Sequence, residues 1–149
     1  MKISGTYTIA APRAKVWQAL MDPATIQRIT PGCEKLEQVA PNHFKTALRA
    51  GVGAIKGLFN GEITLSDIDP ENAYTLNSRI KAPVGFVDGN SRIELKDGAS
   101  PDTTTVTFDG DAKIGGPLAA VAGRLIQAAA QKNIEEMFTR LTNELVVHH

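Results

Sequence analysis

The chain has 149 residues, 42% of them apolar and 21% charged, the composition of one globular domain rather than of two domains or a disordered chain. Its 16 basic and 16 acidic side chains balance, which leaves no electrostatic footprint for nucleic acid. Cys33 is the only cysteine, excluding an internal disulfide and a zinc cluster of thiolates. Residues 1–6 hold no apolar signal core and no apolar run reaches membrane length, so a cytoplasmic protein is expected.

Ile3, Gly5, Tyr7 and Ile9 alternate with Ser4, Thr6 and Thr8, which predicts a strand with one buried face. Pro12 suits the first turn of a helix, and Val16, Trp17, Leu20 and Met21 follow at helical spacing. Asp22-Pro23 is a second helix start, with Ile26 and Ile29 as its apolar stripe, until Pro31-Gly32 stops it. From Cys33 to Ile114 the period is mostly two, and strands are predicted near 33–39, 43–51, 57–68, 73–81, 87–97 and 103–114. Phe44, Thr46, Leu48 and Ala50 share one face, and His43, Lys45 and Arg49 take the other. Such alternation marks an antiparallel sheet wet on one side. After Gly115-Gly116-Pro117 a long helix runs to about Val147. A single long helix across a curved antiparallel sheet is an α+β solution.

Successive hairpins alternate between the two ends of such a sheet. The turns at Pro41-Asn42, Asp69-Pro70-Glu71-Asn72 and 97–102 share one end and are polar. The loops at 51–57 and 82–88 and the start of the long helix share the other. They carry Val52, Ile55, Leu58, Phe59, Val84, Phe86, Val87 and Leu118. Apolar loop tips gathered at one end either pack on one another as a closed cap or form the lip of an apolar cavity. On the long helix Ala119, Ile126, Ala130, Met137 and Leu141 fall on one face, with Ala122, Gly123 and Ile134 close by. The bulky second half of that seam is expected to fill the core and the small first half to leave space. Leu118, Val121 and Leu125 lie roughly opposite, a side that is either buried under the long loops or docks on a membrane surface or a partner.

Catalytic chemistry is thin. His43 lies on an outward strand face, and no two histidines have metal-ligand spacing. Cys33 follows a Pro-Gly turn without a neighbouring base and reads as structural. Glu62, Glu94, Asp109 and Asp111 point outward; Asp67 would point inward if the period of Ile63 and Leu65 held, but Ile68 implies a local bulge. The inward polar groups are Tyr7, Thr46, Tyr74 and Ser78. These neutral hydroxyls can orient a carbonyl or a phenol, but they supply no general acid–base pair near neutral pH. The glycines at Gly51-Val52-Gly53 and Gly57 do not have phosphate-loop spacing.

Four separated blocks occur in an informative order. They are Pro31-Gly32-Cys33-Glu34-Lys35-Leu36-Glu37, Val52-Gly53-Ala54-Ile55-Lys56-Gly57-Leu58-Phe59-Asn60-Gly61, Asp69-Pro70 ahead of Tyr74-Thr75-Leu76, and Gly85-Phe86-Val87-Asp88-Gly89. In these the chain resembles the G-subunit family of carbon monoxide dehydrogenase, over nearly its whole length. The resemblance implies a START-like, Bet v 1-like helix-grip fold (SRPBCC, polyketide cyclase-like), in which a seven-stranded sheet and the C-terminal helix hold apolar ligands between them. It also implies an accessory protein to a molybdenum hydroxylase of the carbon monoxide dehydrogenase type, acting in membrane association or in handling a quinone-like carrier. Some members continue beyond the long helix into an apolar anchoring tail. This chain ends at Leu145-Val146-Val147-His148-His149, so the expected membrane contact, at the inner face, is transient.

Residues 1–147 are therefore expected to form one helix-grip domain, with His148 and His149 a tail of tag-remnant type. The expected ligand is hydrophobic, quinone- or lipid-like and held reversibly, with no tightly bound cofactor and no chemistry performed on it. Val52, Ile55, Phe59, Val84 and Phe86 are expected at the mouth, and Phe44, Leu48, Leu76, Phe108, Ala122 and Ile126 along the wall. Tyr7 and Ser78 are expected to bond a polar head. Expected protein partners are molybdenum hydroxylase subunits. Two alternatives stay open. One is a polyketide cyclase or dehydratase-like enzyme, which needs an inward acid or base. The other is an interaction subunit with a filled core and an apolar patch at Leu118, Val121 and Leu125.

Overall fold

The chain crosses from one edge of its sheet to the other through two short helices, and the corner between them is fixed by local chemistry. The computed structural model describes residues 1–52, 55–82 and 85–147, with side chains for 1–51, 56–81, 85–120 and 124–145. Strand β1 (Lys2–Ile9) leads into α1 (Arg13–Leu20) and α2 (Pro23–Ile29). Asp22 caps α2, accepting from the Ala24 N–H at 3.3 Å and from the Thr25 hydroxyl at 2.8 Å, and Pro23 takes the first turn. The helix ends where the Thr30 hydroxyl bonds back to the Ile26 carbonyl at 2.6 Å. Gly32 then turns the chain with φ 74°, and its carbonyl accepts from Arg49 N–H at 2.7 Å. A Cβ at Gly32 would collide with the Arg49 carbonyl, so the turn requires glycine.

Six strands follow as a meander: β2 (Cys33–Ala40), β3 (His43–Val52), β4 (Ile55–Asp69), β5 (Ala73–Ala82), β6 (Gly85–Asp97) and β7 (Thr104–Gly115). The seven-stranded antiparallel sheet has the order β1-β7-β6-β5-β4-β3-β2, with β1 paired to the last strand. The expected bulge is present. Register shifts between Ser66 and Asp69, Asp67 takes φ 47° and faces solvent, and Arg92 Nη1 donates to the Asp67 carbonyl at 2.9 Å. At the opposite end of the sheet the structure corrects the sequence reading. Pairing continues to Val52↔Ile55 and Ala82↔Gly85, so most of the expected apolar loops are strand. Alternation that carries on to a two-residue connection supports hairpin pairing rather than a loop.

Helix α3 (Pro117–Val147) spans about 46 Å, long enough to cross the whole sheet. Its second half closes the main core, in which Ile9, Val16, Val106 and Leu141 have no exposed surface. Its first half covers a smaller cluster of Leu118 and Ile126 with Met1, Val87 and Ile114. Along the way Gln127 and Gln131 donate to the carbonyls of Lys2 and Ser4 at 2.9 and 3.3 Å, which covers the free edge of β1. Two readings of this helix are revised. Ala119 is exposed, and Leu118 is 2% exposed, although the sequence placed Ala119 on the buried seam. The helix starts directly above Gly85, where a Cβ would come within 2.8 Å of the Leu118 Cβ, so Leu118 is the side chain that reaches the sheet. Of the expected outer trio Leu118 is buried, Leu125 is 51% exposed, and Val121 falls outside the described side chains.

Candidate ligand-binding cavity

A cavity of about 310 Å³ lies between the concave face of the sheet, the α1–α2 corner and the second half of α3. Alternation along the strands supplies its floor. Phe44, Thr46 and Leu48 come from β3, and Ile63 and Leu65 from β4. Tyr74, Leu76 and Ser78 follow on β5, with Ser91, Ile93 and Phe108 beyond them. Ile134, Met137 and Phe138, at i, i+3 and i+4 on α3, form the roof. Pro23 and Ile26 of α2 and Thr30 at its C-cap close one side together with Cys33 and Leu36 of β2. No charged side chain lines the cavity among the described residues.

Glycines give the floor its depth. Gly89 stands opposite Ser78 and Gly110 opposite Ser91. A Cβ at Gly89 would sit 2.8 Å from Ser78 Oγ, and one at Gly110 would overlap Ser91 Oγ. The polar atoms in the lining fall into two groups. Thr46 donates to the Lys35 carbonyl at 2.9 Å and Thr30 to the Ile26 carbonyl, while Cys33 Sγ lies 3.4 Å from the Lys35 carbonyl. Tyr74, Ser78 and Ser91 have no hydrogen-bond partner among the described residues. Tyr74 is 5% exposed, its ring meeting Trp17 edge to face at 5.6 Å, and burial pushes its phenol pKa well above the ordinary value.

The structure brings Phe44, Leu48, Leu76, Phe108 and Ser78 together around one space, and places other expected site residues elsewhere. Tyr7 is one layer removed, because its ring stacks on Phe138 at 4.3 Å and Phe138 is the residue that faces the cavity. Burial first, and Glu135 second, raise the Tyr7 pKa. Ile126 belongs to the Leu118 cluster, about 12 Å along the helix from Ile134. Phe86 lies on the outer face. Val87 points under α3, so its neighbour must point away, and the Phe86 ring covers Gly115 on the adjoining strand. Phe59 is half-buried opposite Leu48, outside the described lining. Val52, Ile55, Val84 and Ala122 fall outside the described side chains.

Sequence reasoning misses the α2 wall and expects the space under the first half of α3. The described cavity lies under bulky Ile134, Met137 and Phe138, because α2 stands between that half of the helix and β2. Arg28 fixes α2 there by gripping both carboxylate oxygens of Glu144, with Nη2 on Oε1 at 2.5 Å and Nε on Oε2 at 3.4 Å. The sequence signal for this wall is the Ile26 stripe, which reads equally well as plain core.

Among the described residues no group of three His, Cys, Asp or Glu gathers to hold a metal, and no helix is long and apolar enough to cross a membrane. Several solved structures share the fold. The chain is similar to a conserved protein of Geobacillus kaustophilus at 28% identity, covering 100% of this chain and 97% of that one, with a TM-score of 0.91. It also resembles a START superfamily protein of Mycobacterium smegmatis at 14% identity, 99% coverage of both chains and a TM-score of 0.74. XoxI of Bacillus cereus is similar at 16% identity, 99% and 98% coverage and a TM-score of 0.74. No curated protein matches the chain. A family model described as the carbon monoxide dehydrogenase G subunit (CoxG) matches residues 5–146. With that match over the sheet and helices just described, the chain belongs to the CoxG family, named for the G subunit of carbon monoxide dehydrogenase.

Proposed function

We propose that this protein binds a hydrophobic, quinone- or lipid-like small molecule in the cavity beneath α3 and performs no chemistry on it. The observation that carries this reading is an apolar space of about 310 Å³ whose described lining holds no charge. An apolar cavity of about 150 Å³ accepts benzene, so this one suits a guest of roughly twice that size, on the order of 12 non-hydrogen atoms, or the leading part of a longer molecule. Enclosing such a guest is favourable by several kcal/mol, on the order of 25 cal/mol per Å² of apolar surface before ordering costs. A binding role rather than a catalytic one is supported by the lining itself. It offers neutral hydroxyls and a thiol, without a carboxylate or imidazole among the described residues to move a proton near neutral pH.

Family membership supports the finer part of the proposal, an accessory role to a carbon monoxide dehydrogenase-type molybdenum hydroxylase, exercised at the cytoplasmic face of the membrane through transient contact. The experiment that tests the binding role is native mass spectrometry after gentle purification from a quinone-containing host, followed by solvent extraction. A stoichiometric quinone or neutral lipid in the extract is the expected result. An empty protein that also refuses added quinone and lipid would overturn it.

A further inference from the structure

We infer that the cavity selects a neutral guest carrying a hydrogen-bond acceptor, and that the Tyr74 hydroxyl is the group that recognises it. This rests on the proposal that the cavity holds an apolar small molecule, and it adds the guest's polarity and its point of attachment. The lining separates its polar groups by whether they are engaged. Thr30 and Thr46 already donate to main-chain carbonyls, and the Cys33 thiol lies against the carbonyl that Thr46 uses. Tyr74 is different. It is 5% exposed, it lines the cavity, and its hydroxyl has no partner among the described residues. The edge-to-face contact with Trp17 restrains the ring.

That arrangement is selective in two directions. A pure hydrocarbon that displaces water from the cavity leaves the Tyr74 donor empty, whereas a carbonyl or ether oxygen satisfies it. Burial keeps the phenol protonated across the physiological range, so it acts as a donor. A carboxylate drawn inside loses its hydration and meets no cation among the described lining residues. A compact neutral ketone is therefore favoured over a hydrocarbon of the same shape, and both are favoured over an acid of the same shape.

The test uses three naphthalenes of one size, 2-acetylnaphthalene, 2-isopropylnaphthalene and 2-naphthoate, titrated calorimetrically into wild type and Tyr74→Phe at pH 7. In wild type the ketone is expected to bind about tenfold tighter than the hydrocarbon, the usual effect of one buried hydrogen bond. The naphthoate should bind at least about 100-fold more weakly than the ketone. Tyr74→Phe should abolish the ketone's advantage and leave the hydrocarbon's affinity within about twofold, which also verifies that the variant folds with its cavity intact. A ketone preference that persists in Tyr74→Phe, or naphthoate binding equal to the ketone's, overturns the inference while the cavity proposal stands. Failure of both neutral probes to bind wild type overturns the two together.

Discussion

Arg28 and Glu144, 116 residues apart in the chain, form a two-point ion pair that joins α2 to the end of α3. The neighbouring residues Pro23, Ile26 and Thr30 line the cavity, so this pair holds one of its walls. Both charges reach solvent, where an ion pair contributes little to global stability. Parting α2 from α3 nevertheless requires breaking it, and local opening is governed by such contacts. Glu144→Gln is expected to leave the thermal midpoint within about 2 °C of wild type. In stopped-flow measurements it should speed ligand release several-fold. An unchanged release rate would show that the guest does not pass α2.

The cap of the same helix makes stability depend on pH. The Thr25 hydroxyl above all, then the amides of Ala24 and Thr25 and the charge of Arg28, hold the Asp22 pKa below its ordinary 3.8. A carboxylate depressed in the folded state stabilises the fold above its unfolded pKa, and that contribution is lost as pH falls through the folded value. Asp22→Ala should therefore cost about 1 kcal/mol in urea denaturation at pH 7. The deficit should shrink below about pH 4, where wild type loses the cap as well. A deficit that stays constant down to pH 2 would count against the cap.

Gly32→Ala tests the turn between α2 and β2. The residue combines φ 74° with a carbonyl oxygen where a Cβ would go. The expected loss is more than about 2 kcal/mol, measured as a lower urea midpoint at unchanged slope.

Filling the cavity should separate binding from folding. In a packed core, enlarging a side chain usually costs about 1–3 kcal/mol. Ser91 faces open space, so Ser91→Phe is expected to leave stability unchanged or raised while lowering affinity for 2-acetylnaphthalene at least about tenfold. A destabilised variant that still binds would place the guest elsewhere.

Phe86→Asp is the complementary control. The sequence puts Phe86 at the mouth, and the register puts it on the outer face against Gly115. Calorimetric affinity in this variant should match wild type.

The elements are legible in the sequence because each announces itself locally. Asp22-Pro23 starts a helix, Pro31-Gly32 stops one, and the alternation through Phe44, Thr46 and Leu48 marks a face without reference to the rest of the chain. Phase set from a distance is not legible in that way. Ala119 and Leu118 exchange roles because Gly85, on another strand, decides where α3 touches the sheet. The cavity falls elsewhere along α3 for the same kind of reason, since its position follows from α2 standing against the helix through Arg28 and Glu144. Phe86 leaves the expected mouth because β6 begins two residues before its expected start at 87, which makes its alternation part of the sheet. The inward hydroxyls can be read as a set, but telling Tyr74 from Tyr7 requires knowing that Phe138 intervenes.

Gly89 and Gly110 give the chamber a property that none of its walls has. Its depth comes from atoms that are missing opposite Ser78 and Ser91. Adding one methyl group at either position would crowd a serine hydroxyl toward the interior and shrink the space without altering any residue that lines it. Capacity is thus adjustable separately from chemistry. Relatives could diverge in the bulk of what they carry through these two backbone positions while keeping the same apolar walls and the same tyrosine.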